Sequence, residues 1–539
     1  MPMSAVDADR ALPAAAEETS GPVEMQVGTF TRWVHVEEGL TPLAARGRNV
    51  ELVARTLEGA QIPYFAVRGM DDRTTVLGVS EADRQRVYKA VGRLFERERG
   101  YVGQIQPRPA TPGALQRGNS RATWTSLAGA QVIRLVWFRT EPTRSLVYGE
   151  AYGCEIEFWQ AQPEKERLLC PRHTRSMRVV EIEDDPVEVP GERFTRFAVP
   201  GAATLPPLRS RREFARVLPE EIRFPIDVVY TWVDGQDPEW QRRKAAAAGE
   251  SYHEESASDA RFLSRDELRY SLRSLHMNAP WVRKVFVVTD DQSPAWLETD
   301  NPAVQVVSHK EIFSDPSVLP VFNSHAIESQ LHHIDGLAEH FLYLNDDMFI
   351  GRPLAPQSFF LSNGVSRFFY SQTRVPMKPK SEADTPVDAA CKNNRALIED
   401  AFGVTLTQTF QHVPYAMRRS VLAEIEERFP EAYRTTMASR FRSMQDHSIP
   451  SSLYHYYAFL TGRAVPGSVR YGYVQLAVPD LAARLARALA RRDWDTFCLN
   501  DAYSTELELE RQNEVLRPFL DAYFPIPSPL EKPAGPVRP

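Results

Sequence analysis

Three nearly continuous apolar segments stand out in the second half of the chain. They lie within residues 226–232, 284–292 and 340–351, and each passes from apolar residues into polar or acidic ones. Strands that are buried on both faces have such continuous apolar runs, and they belong to parallel sheets covered by helices. The pattern therefore predicts an α/β domain with a mixed or parallel sheet flanked by helices.

Helical spacing of apolar residues separates these strands. Ser264 and Glu267 have the spacing of a capping box, which predicts a helix start ahead of the apolar stripe in residues 268–275. A second stripe, in residues 327–334, predicts another helix before the third strand. Residues 380–505 are expected to be mostly helical.

The chain divides into five predicted segments. Residues 1–25 are rich in Ala, Glu and Pro and predict a disordered leader. Residues 26–125 predict a small α/β module, and residues 126–220, with short strands separated by Pro and Gly, a β-rich module. Residues 221–505 form the predicted α/β domain. Residues 506–539 predict a C-terminal helix and a Pro-rich tail, whose last residues are expected to be disordered.

Composition and charge narrow the function classes. With 43% hydrophobic and 25% charged residues, the chain has the composition of a globular protein. No apolar stretch approaches the ~20 residues that span a bilayer, and the N-terminus has no secretory signal pattern. The net charge of −7 does not favour sequence-independent nucleic-acid binding. Four cysteines without a CxxC pair favour a reducing, cytoplasmic setting, with Cys154 and Cys170 as buried small hydrophobic residues.

Polar residues follow each of the three predicted strands. Ligands of open α/β sheets bind at the carboxyl ends of strands, so these residues are expected to face one crevice. If the ligand is a nucleotide diphosphate, a divalent cation held by carboxylates must lie between the acids and the phosphates. The alternative is that Asp and Asn only terminate the strands. The residues are Trp232 and Asp234, Asp290 and Asp291, and Asn345, Asp346 and Asp347.

Two further segments are candidates for phosphate contacts. Asn323, Ser324 and His325 precede a helix and could present polar groups to an anion, or Asn323 could simply cap that helix. Arg265 and Arg269 flank the start of the earlier helix, where they could reach phosphate or lie on a solvated face.

A third group of candidates lies near residues 410–446. His412 precedes Pro414 at a loop or helix boundary, where an imidazole is a plausible general base or a structural residue. Arg440, Arg442 and Asp446 are candidates for a phosphate clamp or, alternatively, for a surface ion-pair cluster. The chain has no P-loop, GxGxxG, HExxH or GxSxG motif, so ATPase, dinucleotide oxidoreductase, zincin and α/β-hydrolase readings lose their main support.

Several blocks, taken in order, resemble the conserved regions of the Stealth family and cover about residues 224–501. This family includes bacterial capsular and exopolysaccharide phosphotransferases and the catalytic subunit of the animal GlcNAc-1-phosphotransferase. The chain looks like the compact bacterial type, since it lacks the membrane helices and large insertions of the animal members. The blocks are FPIDVVYTWVDG, SRDELRYSLRSL with PWVRKVFVVTDDQ, LPVFNSHAIES with FLYLNDDMFIG, QHVPYAMRRS with RFRS, and CLND.

The resemblance implies transfer of hexose-1-phosphate from a UDP-sugar to a hydroxyl of an acceptor sugar in exopolysaccharide or capsule synthesis, with release of UMP. It also implies a glycosyltransferase-A-like fold and a divalent cation, Mg²⁺ or Mn²⁺. The implied catalytic residues are His412 as base, Asp346, Asp347, Arg442 and Asp446. The implied metal ligands are Asp346, Asp347 and Asp501. The expected substrate-binding residues are Trp232, Asp234, Arg265, Asp290, Asp291, Asn323, Ser324, His325 and Asn500.

Two rival functions remain at this point. A metal-dependent glycosyltransferase with the same nucleotide site would break the sugar C1–O bond and release UDP. A non-catalytic binding protein would tolerate changes at the acidic strand ends. The expected partners are a UDP-sugar and an oligo- or polysaccharide acceptor, with residues 1–220 helping to bind the acceptor or a partner. Association with the inner face of the plasma membrane and homo-oligomer formation stay open.

Overall fold

The structure is a computed structural model that describes residues 21–107, 110–182, 185–199, 205–248, 265–501 and 506–533. The predictions for residues 1–20, for Ser264 and for residues 534–539 lie outside this part of the chain.

The elements alternate between strands and helices along most of the chain. The strands are β1 (Val23–Val27), β2 (Phe30–Val36), β3 (Phe65–Val67), β4 (Thr75–Ser80), β5 (Tyr101–Pro107), β6 (Ala110–Pro112), β7 (Gln116–Arg117), β8 (Val132–Val136), β9 (Phe138–Thr140), β10 (Val147–Tyr148), β11 (Cys154–Gln162), β12 (Arg167–Leu169), β13 (Val179–Glu181), β14 (Val187–Val189), β15 (Leu208–Ser210), β16 (Ile226–Thr231), β17 (Val285–Thr289), β18 (Val304–Ser308), β19 (His340–Asn345), β20 (Met348–Ile350), β21 (Ser366–Phe368), β22 (Tyr370–Arg374), β23 (Gln408–Phe410), β24 (Tyr415–Arg418), β25 (Ala464–Pro466), β26 (Tyr471–Gln475) and β27 (Thr496–Asn500). The α-helices are α1 (Pro42–Gly59), α2 (Arg84–Arg97), α3 (Arg121–Ser126), α4 (Arg212–Ala215), α5 (Pro238–Ala248), α6 (Glu267–Asn278), α7 (His309–Ile312), α8 (Ser324–Glu328), α9 (Pro386–Phe402), α10 (Arg419–Arg428), α11 (Pro430–Met437), α12 (Tyr454–Leu460), α13 (Leu481–Arg491) and α14 (Glu506–Tyr523).

The N-terminal region is one sheet-based unit rather than two modules. Its main sheet has the order β13-β12-β11-β8-β5-β6, and β11 also pairs in parallel with β4. A second sheet joins β1 and β2 to β9 and β10. Both sheets combine strands from either side of residue 125, so they cross the predicted boundary there. Strand β1 also begins at Val23, inside the predicted leader.

The sheet that positions the functional site has the order β18-β17-β16-β19-β24. Strands β16 to β19 run parallel, while β24 pairs with β19 in the antiparallel direction. The α/β prediction of a mixed sheet flanked by helices is therefore confirmed. The chain order reverses between β16 and β19, where Thr231 lies opposite Asn345. Such a switch point opens a crevice at the carboxyl ends of the strands.

A smaller sheet, β20-β27-β26, extends this edge. Strand β20 follows directly after the turn at Asp346 and Asp347, and its Met348 pairs with Cys498 of β27. This pairing brings Asn500, at the end of β27, to the same edge. The expectation that residues 380–505 are mostly helical missed β23 to β27.

The two predicted helix starts differ from the structure in detail. Helix α6 begins at Glu267 after Asp266, whose φ is +64° and whose side chain caps nothing. The Glu267 carboxylate accepts from the backbone N–H of Arg265 at 2.5 Å, so Glu267 is not the third residue of a capping box. The predicted helix over residues 327–334 is divided into α8 and a 3₁₀ turn, Leu331–His333.

The C-terminal residues up to 533 pack against α6 instead of forming the predicted disordered tail. Leu530 and Glu531 are buried, and Glu531 is paired with Arg269 and Arg273 of α6. Among the described helices, none has both the length and the apolar character that crossing a bilayer requires.

Candidate active site

A cleft of about 730 Å³ opens at the carboxyl ends of β16, β17 and β19. It lies at the edge where the strand order predicts a ligand crevice. Eleven of the residues predicted for the site line it: Trp232, Arg265, Asp290, Ser324, His325, Asp346, Asp347, His412, Arg442, Asn500 and Asp501.

Two predicted site residues at strand ends have other partners. Asp234 accepts from the backbone N–H of Gln236 at 2.9 Å, and its own N–H donates to Gln292. Asp291 is exposed and accepts from the hydroxyl of Ser308 at 2.5 Å and from the ammonium of Lys310. Neither side chain lines the cleft, because each is bound to groups of its own loop or of the neighbouring strand end.

Two other predicted residues lie behind the cleft wall. Asn323 caps α8, since its side-chain oxygen accepts from the N–H of His325 at 3.1 Å. Its amide donates at 2.8 Å to Asp446, which is fully buried and also accepts from Ser443 N–H. Asp446 is therefore buried behind the cleft wall and contacts Asn323, and its predicted catalytic role stays a prediction.

The wall in front of Asp446 carries two polar groups into the cleft. His325 is buried, and its Nδ1 lies 3.5 Å from an oxygen of Asp446. Ser324 accepts a hydrogen bond from Arg442 at 2.9 Å. Of the two interpretations of residues 323–325, the helix cap holds for Asn323, while Ser324 and His325 are presented to the cleft.

The opposite side of the cleft is acidic. Burial raises the pKa of Asp346 well above its usual value, and the charges of Glu267 and Asp347 raise it further. Burial also raises the pKa of Glu267, although Arg265 acts in the other direction. Asp347 accepts from the thiol of Cys498 at 3.1 Å. Negative charge on these three carboxyl groups is unfavourable in a poorly hydrated place unless a cation offsets it.

His412 lies beside these carboxylates at the cleft surface. Its Nε2 is 3.6 Å from Asp347 Oδ1, and its Nδ1 is 3.2 Å from the hydroxyl of Tyr415. The side chain keeps 31% of its exposure, so a substrate can reach it. A carboxylate next to an imidazole stabilises the imidazolium that forms when the ring accepts a proton.

Arg265 connects the cleft to the C-terminal helix. Its guanidinium donates to Asp501 at 2.5 Å and to Gln512 of α14 at 2.9 Å. Asp501, a predicted metal ligand, is thus paired with the guanidinium of Arg265. Asp346 and Asp347 have no such ion pair with Arg265 among the described residues.

The residues present fit a divalent cation at Asp346 and Asp347. Asp347 Oδ1 is buried, and no hydrogen-bond donor reaches it within the described part of the chain. Hard cations such as Mg²⁺ take carboxylate oxygens and usually only one or two of them from the protein. Asp347, His412 and Cys498 also present ligand atoms within 4.8 Å of one another.

Sequence reasoning missed several residues that line the cleft. The sequence assigns Glu267 to a helix cap. Glu328 lies in a segment that the sequence identifies as a helix by its apolar stripe, and the pattern gives this acid no role. For both residues, an acidic side chain close to the apolar stripe of a predicted helix is the pattern that could have indicated a site residue. The pairing of Tyr343 with Thr231 across the parallel strands had no signal in the sequence. The other lining residues that were missed include His309, Tyr343 and Tyr415.

Four family models match the chain in the order expected. They are described as Stealth protein conserved region 1 at residues 224–252, region 2 at 261–368, region 3 at 411–459 and region 4 at 486–539. The regions include the cleft residues of α6, α8 and β19, and the predicted resemblance is confirmed.

Solved structures match this chain only at low TM-scores. A galactosyltransferase in complex with donor and acceptor sugar analogues has a TM-score of 0.27 and 10% identity, covering 54% of this chain and 96% of its own. Mouse xyloside xylosyltransferase 1 has a TM-score of 0.28 and 9% identity, covering 51% and 98%. The fold assignment rests on the strand order and connections described above.

Curated relatives extend the similarity beyond the four regions. An exopolysaccharide phosphotransferase of Streptomyces coelicolor is 52% identical over 502 residues, which are 93% of this chain and 92% of the relative. Exopolysaccharide phosphotransferase CpsY of Mycobacterium tuberculosis is 36% identical over 508 residues, covering 93% and 91%. These alignments include most of residues 1–220. The chain belongs to the Stealth family and is a sugar-phosphate transferase.

Proposed function

We propose that this protein transfers hexose-1-phosphate from a UDP-sugar to a hydroxyl of an acceptor sugar, forming a phosphodiester and releasing UMP. The names of the curated relatives support exopolysaccharide as the product class. The observation that carries the proposal is the presence in one cleft of a histidine beside a carboxylate pair and of an arginine on the other wall. The cleft volume falls within the range of about 300–1,000 Å³ that small-molecule sites have.

His412 is the proton acceptor in this proposal. An acceptor hydroxyl is a weak nucleophile until a base takes its proton, and a positioned base contributes about 10²–10⁴-fold. His412 is exposed enough to meet the hydroxyl, and Asp347 stabilises the positive ring after the transfer. Tyr415 fixes the ring through Nδ1, which leaves Nε2 facing the cleft side of Asp347.

Arg442, Ser324 and His325 are the proposed phosphate-binding wall. The guanidinium of Arg442 offers several N–H donors in a fixed plane, which suits a phosphate whose charge moves during transfer. Its hydrogen bond to Ser324 directs it along the wall where α8 begins. The buried Asp446 holds this wall through Asn323 and the backbone of Ser443.

Asp346 and Asp347 are the residues that would hold a divalent cation, Mg²⁺ or Mn²⁺. When bound, the cation neutralises charge on the diphosphate and on the leaving UMP. Carboxylates repel phosphate oxygens and cannot pair with them directly. A bound cation would account for two carboxylates at this place in the cleft.

A metal-dependent glycosyltransferase reaction, which would break the sugar C1–O bond and release UDP, is the second candidate, since the same cleft and carboxylate pair could serve it. The nucleotide product distinguishes the two reactions. We would incubate the full chain with a panel of UDP-sugars and Mg²⁺ and separate the nucleotides by chromatography. Our proposal predicts UMP with at least one donor, and UDP as the only product would overturn it. His412→Ala should lose the product, whereas His173→Ala, on an exposed loop of the N-terminal region, should keep it.

A further inference from the structure

A second cluster of potential metal ligands lies outside the cleft. His332 and His333 end the 3₁₀ turn Leu331–His333, which follows α8, and Glu426 lies on α10. The Nε2 atoms of both histidines converge on the same oxygen of Glu426, at 2.6 Å and 3.0 Å. The three ligand atoms lie within 4.8 Å of one another, and none of the three residues lines the cleft.

The hydrogen bonds of His333 leave its Nε2 without a proton in the neutral ring. Its Nδ1 lies 2.9 Å from the backbone oxygen of Ile312, and a carbonyl can only accept, so Nδ1 carries the hydrogen. Nε2 is then a lone pair 3.0 Å from a carboxylate oxygen, which is also an acceptor. Two acceptors at this distance repel each other unless a proton or a metal ion lies between them.

His332 directs its Nε2 at the same oxygen, 2.6 Å away, as a hydrogen-bond donor in one neutral tautomer and as a lone pair in the other. It is buried, and its Nδ1 has no hydrogen-bond partner within the described residues. The two rings are 4.0 Å apart between centroids, so protonating both would place two positive charges side by side in a largely buried position. One divalent cation accepts both lone pairs and the carboxylate without that repulsion.

The surroundings of His333 also suit a metal ligand. The carbonyl of Ile312 on His333 is the outer partner that metal-bound histidines usually have, since it fixes the ring and its tautomer.

We propose that His332, His333 and Glu426 form a zinc-class transition-metal site that is separate from the catalytic cleft. Two imidazole nitrogens and one carboxylate oxygen are ligands that Zn²⁺ accepts, and His333 and Glu426 are exposed enough to admit a water as a fourth ligand. The oxygen-rich pair Asp346 and Asp347 suits Mg²⁺ instead. The bound ion would tie α10 to the turn behind α8 and, through Ile312, to α7.

The test compares zinc retention by the wild-type chain and three variants. Each protein is loaded with Zn²⁺, dialysed against excess Mg²⁺ to compete at the catalytic carboxylates, and measured for metal by mass spectrometry. We expect the wild type to retain zinc stoichiometrically and Asp347→Asn to retain the same amount. Glu426→Gln and His333→Ala should lose it. Loss of an outer partner weakens metal binding about 10–100-fold, so loss of a ligand should weaken it by at least about 100-fold.

Folding is checked by circular dichroism, and Glu426→Gln is the decisive variant because it keeps the shape of the side chain. Co²⁺ serves as a second probe, since its visible absorption reports nitrogen ligands directly and should disappear in Glu426→Gln. The proposal is overturned if the folded wild type retains no zinc. It is also overturned if zinc is lost in Asp347→Asn but kept in Glu426→Gln, because the metal then belongs to the catalytic cleft. Retention by all four proteins would equally contradict it.

Discussion

Replacing Glu531 by Gln should destabilise the protein by loosening α6, the helix that begins at the cleft. The Glu531 carboxylate accepts from Arg273 at 2.7 and 2.9 Å and from Arg269 at 2.5 Å, and its side chain is only 3% exposed. Gln keeps the shape but removes the charge. Arg273, which is buried, is then left without a counter-charge.

The size of this effect follows from the burial of the pair. Removing one partner of a buried ion pair costs about 3–5 kcal/mol. Because Arg269 keeps 27% of its exposure, we expect the lower end, about 3 kcal/mol. The entropy of unfolding is about 2.1 cal/mol/K per residue. If all 539 residues unfold cooperatively, a loss of about 3 kcal/mol lowers the Tm by about 3 °C.

The matched control is Glu431→Gln, which removes a helical ion pair with Arg434 whose side chains are 80% and 63% exposed. Exposed pairs contribute about 0–1 kcal/mol, so its Tm should fall by less than about 1 °C. The assay is thermal unfolding followed by circular dichroism at neutral pH. Equal Tm values for the two variants would refute the reasoning.

The pH dependence gives a second check on Glu531. Burial acts to raise its pKa, but hydrogen bonds from Arg273, the backbone of Ser528 and Arg269 prevail and hold it below the ordinary value of 4.5. A lowered pKa in the folded state adds stability that is fully present above 4.5 and is lost as the pH falls toward the folded value. The difference in Tm between wild type and Glu531→Gln should therefore be constant near neutral pH and should become smaller as the pH falls below 4.5. A difference that grows below pH 4.5 would contradict this sign.

Further predictions concern the cleft and the N-terminal region. Asp347→Asn should keep the wild-type Tm within a few degrees and lose orders of magnitude in transfer rate, and near-normal turnover would remove its proposed metal role. His412→Ala and His412→Gln should both lose about 10²–10⁴-fold in rate, with donor binding unchanged by calorimetry. Asp446→Asn should raise the donor KM more than it lowers kcat, because it holds the wall through Asn323; an unchanged KM would make Asp446 purely structural. Deleting residues 1–223 should give an unstable product, because Leu40 and Tyr148 share a core with α6, and a soluble fragment with normal unfolding would contradict this.

The sheet that contains β16, β17 and β19 was predictable from the sequence. Its strands are buried on both faces, and such strands have continuous apolar runs. Residues 226–232 and 284–292 show this pattern, and the residues at their polar ends that line the cleft include Trp232 and Asp290. Periodicity does not show which strands pair, so the sheet that joins β4 to β11 across residue 125 was divided into two modules. The direction of β24 likewise depends on its long-range partner β19.

Some residues owe their partners to distant contacts that the sequence does not show. Glu531 lies 258 positions from Arg273, and its neighbours Pro529 and Lys532 have the composition of a disordered tail. Asp446 is an acid in a polar segment, and only the fold shows that Asn323 and Ser443 enclose it. His332 and His333 both contact one oxygen of Glu426. In the sequence, Glu426 is 93 or more positions away, so nothing indicates that the three residues form a cluster.

The fate of the β-phosphorus of the donor tests the central claim most directly. The full chain is incubated with Mg²⁺ and a UDP-sugar that carries radioactive phosphorus at the β position, with and without a polysaccharide acceptor. Transfer of sugar-1-phosphate predicts that the label leaves the nucleotide and appears in the acceptor, or in sugar-1-phosphate when water accepts, while unlabelled UMP accumulates. Label that stays in the nucleotide as UDP, while the sugar is transferred, would contradict the account.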